Sequence, residues 1–183
     1  MTPLIAAQAG AQFISLFVYA LLAKWYVAPW LQARGRADAL IALLWVHVFR
    51  YVALLTFSAQ RDGFPISDEG ALEIVLGDVA GATIALVAII ALRQRARLGI
   101  ALVWLLAAET IFDTVTNIRG GIREHLMGAA GGVTWLVLGF YVPLVIVSLV
   151  LLVWQLAVRR AQSLDGSFGP QPRRHKVSAL TAH

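Results

Sequence analysis

The stretch "ALLWVHVFRYVALL", residues 42–55, is an apolar run with a histidine and an arginine set in its middle. It lacks the period-2 alternation of a barrel strand and is long enough, with its flanks, to cross a hydrocarbon core of roughly 30 Å as a helix. A full positive charge at Arg50 then has to face protein or water rather than lipid, because an exposed charge at mid-bilayer costs roughly 2.5–3.5 kcal/mol on insertion scales. The fold follows from finding what the rest of the chain places opposite it.

Working outward, four further apolar runs of spanning length flank this one. Together they predict spans at about 3–23, 38–58, 72–92, 98–118 and 130–157. Hydrophobic residues make up 60% of the 183-residue chain, well above the roughly 45–50% of soluble domains, and mean hydropathy is +0.77. The expectation is an all-α integral membrane protein: one five-helix transmembrane domain over 1–160, then a polar, Gly/Pro-punctuated tail over 161–183. Thr2 and Pro3 follow Met1 without a basic segment, so the first run is expected to stay as an uncleaved span. Cysteine is absent, which excludes disulfides, thiolate metal sites and a cysteine nucleophile.

The net charge of +5 reads as topology once it is distributed over the connections. Lys24, Arg34, Arg36, Arg93, Arg95, Arg97, Arg159, Arg160, Arg173, Arg174 and Lys176 fall on one side, against Arg61, Arg119 and Arg123 on the other. The positive-inside rule predicts the N-terminus outside and the C-terminus cytoplasmic, in a bacterial cytoplasmic (inner) membrane. Membrane lipid is then the partner of the basic groups, and nucleic acid is not expected, since no aromatic-interleaved basic platform accompanies them. Trp25, Tyr26 and Trp30 in "KWYVAPW" suit an interfacial belt.

Three local signals refine the spans. "GFPISDEG" at 63–70 carries turn residues followed by Ser67 and Asp68, either of which suits a helix N-cap. Gly77 and Gly81 form a small-xxx-small pair, read first as internal packing and second as the edge of a homodimer. Pro143 lies inside the fifth span and predicts a kink, with the freed carbonyl near Gly139.

The polar residues inside the spans fall into one layer. His47, Arg50 and Tyr51 are spaced to share a helix face, as are Glu109, Asp113 and Asn117, with Thr110 and Thr114 beside them. At 1.5 Å per residue, Arg50 lies about 12 Å below the outer end of its helix, Asp78 about 9 Å, Asp113 about 7 Å, Glu109 about 13 Å and His47 about 16 Å. Gln8 and Gln12 of the first span fall at about 7 and 13 Å, and Trp135 and Tyr141 of the fifth at about 7 and 16 Å. Charges on helices that run in opposite directions gather at one depth, which predicts a shared polar cavity in the outer half. Arg50 against Asp78, Glu109 and Asp113 leaves a surplus of acid that must be protonated, solvated or matched by a cation.

Three functions are compatible with that layer. The first binds or transports a lipophilic or cationic small molecule, with proton linkage, through His47, Arg50, Tyr51, Asp78, Glu109, Asp113, Asn117, Gln12, Trp135 and Tyr141. The second is an intramembrane isomerase or other acid/base enzyme using Glu109, Asp113 and His47 on a lipid-soluble substrate. The third is a structural membrane subunit whose ion pairs fix helix packing. No metal is expected, since His47 offers one mid-span ligand; the cofactor is left open, with no lysine mid-span to form a Schiff base.

Overall fold

A computed structural model describes residues 3–160 and 164; the predicted polar tail, Leu164 apart, lies outside the described residues. The described residues are all-helical, with five helices long and apolar enough to cross a membrane: α1 (Pro3–Gln32), α2 (Arg36–Arg61), α3 (Asp68–Arg93), α4 (Leu98–Arg123) and α5 (Gly132–Val158). The connections over 62–67 and 124–131 lie at one end, called upper below, and those over 33–35 and 94–97 at the other, called lower.

α1 is longer than its predicted span, because "KWYVAPW" continues as helix. It does so through a π-helical segment, Ala23–Val27, placed just before Pro29. α5 repeats the device, with a π segment at Val137–Tyr141 just before Pro143. A proline ring collides with the carbonyl four residues back, so an α-helix accommodates it by widening. Here the Ala28 amide donates to the Ala23 carbonyl and the Val142 amide to the Val137 carbonyl, each five residues back. The irregularity expected at Pro143 is thus a π segment that starts before it.

α2 is irregular in the opposite sense, tightening to a 3₁₀ helix over Phe49–Leu54. Where i→i−4 bonding gives way to i→i−3, one carbonyl is skipped by the ladder and needs another donor. The Val46 carbonyl at this joint accepts from Tyr141 Oη at 2.7 Å.

α3 starts as the sequence predicts. Ser67 is its N-cap and accepts from the Gly70 amide at 3.0 Å, with Asp68 and Glu69 in the first turn facing the positive end of the helix. From the loop after α4, Glu124 clamps this cap by accepting from the Ser67 amide and hydroxyl, both at 2.8 Å. Those two bonds hold the Glu124 carboxyl below the usual carboxylate range.

The lower half of the bundle is a packed apolar core in which Leu31, Leu40, Leu44, Ala85, Ala88, Leu92, Val103, Leu106, Leu152 and Leu156 are buried. Alanines on α3 let α2 and α4 approach it closely. α1 stands at the periphery against α5, with Phe13, Ile14 and Phe17 exposed, as a lipid-facing helix would be.

Candidate functional site

Arg50 sits in the 3₁₀ segment of α2 and is 2% exposed. A guanidinium has five N–H donors, and every one of them is used. Nε donates to Asp78 Oδ1 at 2.7 Å. Nη1 donates to Glu109 Oε2 at 2.7 Å and to Thr110 Oγ1 at 3.0 Å, and Nη2 to Glu109 Oε1 at 3.3 Å and to Asp113 Oδ2 at 2.6 Å. The two Glu109 bonds form the parallel fork that a planar guanidinium makes with a carboxylate. Three acids from two helices therefore converge on one cation from a third.

The neighbours of this cluster are shaped to admit it. A β-carbon on Gly77 would collide with the Asp113 carboxylate, and one on Gly81 with the Arg50 guanidinium and Glu109. The Gly77/Gly81 pair therefore serves packing within the chain, the first of its two readings. α4 supplies the acids from one stripe, where Thr114 turns its hydroxyl back to the Thr110 carbonyl at 2.7 Å. Asn117 Nδ2 donates to Asp113 Oδ2 at 3.1 Å, while Asn117 Oδ1 is buried without a partner. Above Asn117 a crevice of about 10 Å³, room for about one water, runs past Gly120, Gly121 and Gly70 to Glu73 and Glu124.

The other predicted site residues divide. His47 is fully buried one turn below Arg50, and neither ring nitrogen has a hydrogen-bond partner. A neutral imidazole carries one donor and one acceptor, and leaving such groups unpaired costs about 1–3 kcal/mol each. Tyr51 does not share that face: it is 50% exposed, with its ring 6.1 Å from that of Phe49. The reason is the 3₁₀ segment, which at three residues per turn aligns i with i+3 and swings i+4 away by about 120°. His47, Arg50 and Ala53 accordingly line the buried side. Gln12 serves α5 instead, donating to the Leu138 carbonyl in its π segment at 3.2 Å, and Gln8 accepts from the Gly128 amide at 3.2 Å. Trp135 packs edge-on against Phe140, 5.9 Å away, and Tyr141 reaches α2 through Val46.

Two buried polar residues of the lower half escape the reading of the spans, Ser148 and Gln155. Ser148 Oγ donates to the Leu43 carbonyl at 3.2 Å. Gln155 Oε1 accepts from Arg159 Nη1 at 3.2 Å, and its Nε2 is buried without a partner. Their signal in the sequence is spacing, since Tyr141, Ser148 and Gln155 recur every seven residues on α5. At the lower end Arg159 also donates to the Leu31 and Arg34 carbonyls, at 3.2 and 2.7 Å, and Arg36 Nη1 donates to the Arg160 carbonyl at 3.4 Å. A crevice of about 470 Å³ opens beside them, lined by Asp38, Ile41, Leu92, Arg93, Arg95 and Leu164 among others.

A family model described as Domain of unknown function (DUF8737) matches residues 8–157, a range that includes every residue of the Arg50 cluster. No curated protein and no solved structure matches the chain.

Proposed function

The chain belongs to the DUF8737 family, and we propose that it is a proton-linked membrane protein that binds or transports a lipophilic or cationic small molecule at the Arg50 cluster. The single observation that supports this is the charge count of a closed network: one buried guanidinium is bonded to three carboxylates. A structural ion pair needs one of them. The remaining two are a standing demand for protons or for a competing cation, a common role of intramembrane acids.

With the arginine-rich lower end cytoplasmic, the upper end faces outside and the N-terminus lies there too. Protons then reach Asp113 from Glu73 and Glu124 by way of the crevice above Asn117. Because all five Arg50 donors are taken within the chain, an organic cation binds only by displacing the guanidinium from at least one acid. Protonating an acid weakens the same bond, so proton uptake and ligand binding act on one equilibrium.

Infrared difference spectra of the protein in nanodiscs test the proton step. Acidification is expected to raise a protonated-carboxyl band that disappears in Asp113→Asn. Thermal-shift screening of cationic amphiphiles, sterols and quinones tests the ligand step, with stabilisation of the wild type that is lost in Glu109→Gln. If no carboxyl titrates and no ligand stabilises the protein, while Arg50 is still needed for folding, the cluster is a packing device and the proposal falls.

A further inference from the structure

The polar groups of α2 and α5 do not end at the Arg50 cluster. On α2, Arg36, Leu43 and Arg50 recur every seven residues, and on the antiparallel α5 so do Tyr141, Ser148 and Gln155. Matching seven-residue repeats keep one face of each helix against the other along their length. The bonds across the interface follow this order. Tyr141 reaches the Val46 carbonyl beside Arg50, and Ser148 reaches the Leu43 carbonyl one turn before His47. At the lower end Arg36 reaches the Arg160 carbonyl from α2, while Gln155, on the same stripe as Ser148, accepts from Arg159 one turn on along its own helix.

This seam crosses the apolar half of the bundle, and it carries three buried polar atoms without partners: both ring nitrogens of His47 and Gln155 Nε2. Helical side chains lean toward the N-terminus of their helix. That tendency directs the His47 imidazole toward the turn at Leu43, where Ser148 donates. A seam meant only for packing would be served by leucine, as it is at Leu40, Leu44, Leu152 and Leu156 on the same two helices. Buried groups left unpaired are where water enters.

We infer that the His47–Ser148–Gln155 seam between α2 and α5 is a proton path that joins the Arg50 cluster to the lower crevice beside Asp38. The inference rests on the proton-linked reading of the cluster. In each passage an O–H bond of a cluster carboxyl breaks and the proton crosses water to one imidazole nitrogen. As it arrives, the N–H bond on the opposite nitrogen breaks toward the Ser148 hydroxyl, whose own O–H bond breaks toward water held by Gln155 and so to Asp38, and a turn of the imidazole restores the starting tautomer. One proton enters for each that leaves, and nothing is oxidised or reduced. The helix of His47 itself brings Arg50, whose positive charge opposes a lasting imidazolium, so a proton is accepted at one nitrogen as another leaves from the opposite one. α5 brings Ser148 at the Leu43 turn, and the acids of α3 and α4 are bonded to Arg50. Below that level α3 and α4 present Ala85, Ala88, Val103 and Leu106. The 3₁₀ segment of α2 and the π segment of α5 lie at the head of the seam, and irregular turns of both kinds mark places where helices shift.

Proteoliposomes with a trapped pH-sensitive dye and a potassium diffusion potential measure the path. Wild-type vesicles are expected to take up protons faster than protein-free vesicles. His47→Leu is expected to slow the flux by about 100-fold, the lower range for a positioned proton-transfer group. Gln155→Leu should slow it as well, and Ser148→Ala should do so less, because water replaces a hydroxyl. The infrared band of the Arg50 cluster should persist in all three, which also reports that each variant is folded; should one fail to fold, the other two decide. Wild-type vesicles no leakier than lipid, or variants that conduct like the wild type, would overturn the seam while a titrating cluster keeps the reading of the site. Absence of the carboxyl band in the wild type would instead remove that reading.

Discussion

Around Arg50 the bundle is joined by a dense set of directed bonds; around Leu44, less than two turns away on the same helix, it is joined chiefly by volume, with the Ser148–Leu43 bond beside it. The upper region places one cation where five donors find five acceptors, on Asp78, Glu109, Thr110 and Asp113. The lower region fills the same interhelical space with leucine and alanine. Packing tolerates exchange among residues of similar size, whereas a guanidinium fork tolerates neither a shorter side chain nor a missing acid. The difference teaches that helix spacing is set below and helix register above.

The sharpest way to break this comparison is to remove each centre in turn. Arg50→Ala leaves three carboxylates without their cation and is expected to cost about 3–5 kcal/mol. Arg50→Lys should recover only part, because an ammonium cannot form the Glu109 fork. Leu44→Ala opens a cavity and should cost about 2 kcal/mol, the lower end for such truncations. Thermal or denaturant unfolding in detergent measures both; a larger loss at Leu44 would invert the comparison.

A smaller effect probes the space made for the cluster. Gly81→Ala drives a methyl group into Arg50 and Glu109 and is expected to cost about 1–3 kcal/mol. Gly120→Ala meets nothing within 4 Å, and by restricting the unfolded chain it should stabilise by about 0.4–1 kcal/mol. Equal melting temperatures for the two variants would mean that α3 yields freely and that the cluster does not fix its position.

The smallest expected effect is at the upper cap and depends on pH. The Ser67 amide and hydroxyl hold the Glu124 carboxyl below its ordinary value of 4.5. A carboxyl depressed by folding stabilises the fold above its unfolded value, and that contribution is lost as pH falls through the folded one. Melting temperature should therefore drop on acidification below about pH 4.5, and Glu124→Gln should remove that part of the drop. An identical acid limb in the variant would show that the clamp adds no stability.

Much of this contrast is readable from composition and depth. Five apolar runs fix the helices, and counting residues from their ends brings Arg50 level with Asp78, Glu109 and Asp113, because rise per residue is nearly constant in any α-helix. Azimuth is less legible. Tyr51 turns outward because α2 tightens at Phe49, and Gln12 serves the π segment of α5 rather than the cluster. Both outcomes depend on local departures from 3.6 residues per turn, which apolar runs do not encode. Pro29 and Pro143 mark where two departures fall without giving their type. Ser148 and Gln155 were hidden for another reason: singly, each is a small dip in a strongly apolar segment, and only the recurrence with Tyr141 gives them a common face.

The π segment of α5 has one more consequence. A π turn holds an extra residue, so it acts as a phase shifter between the two ends of its helix. Within it, Leu138 and Gly139 meet α1; below it, Ser148 is aimed at α2. Deleting a single residue within Val137–Tyr141 would restore an ordinary turn and rotate one end against the other by about 100°. The helix would keep its length and apolarity almost unchanged, and would face its neighbours in only one of the two directions it now serves.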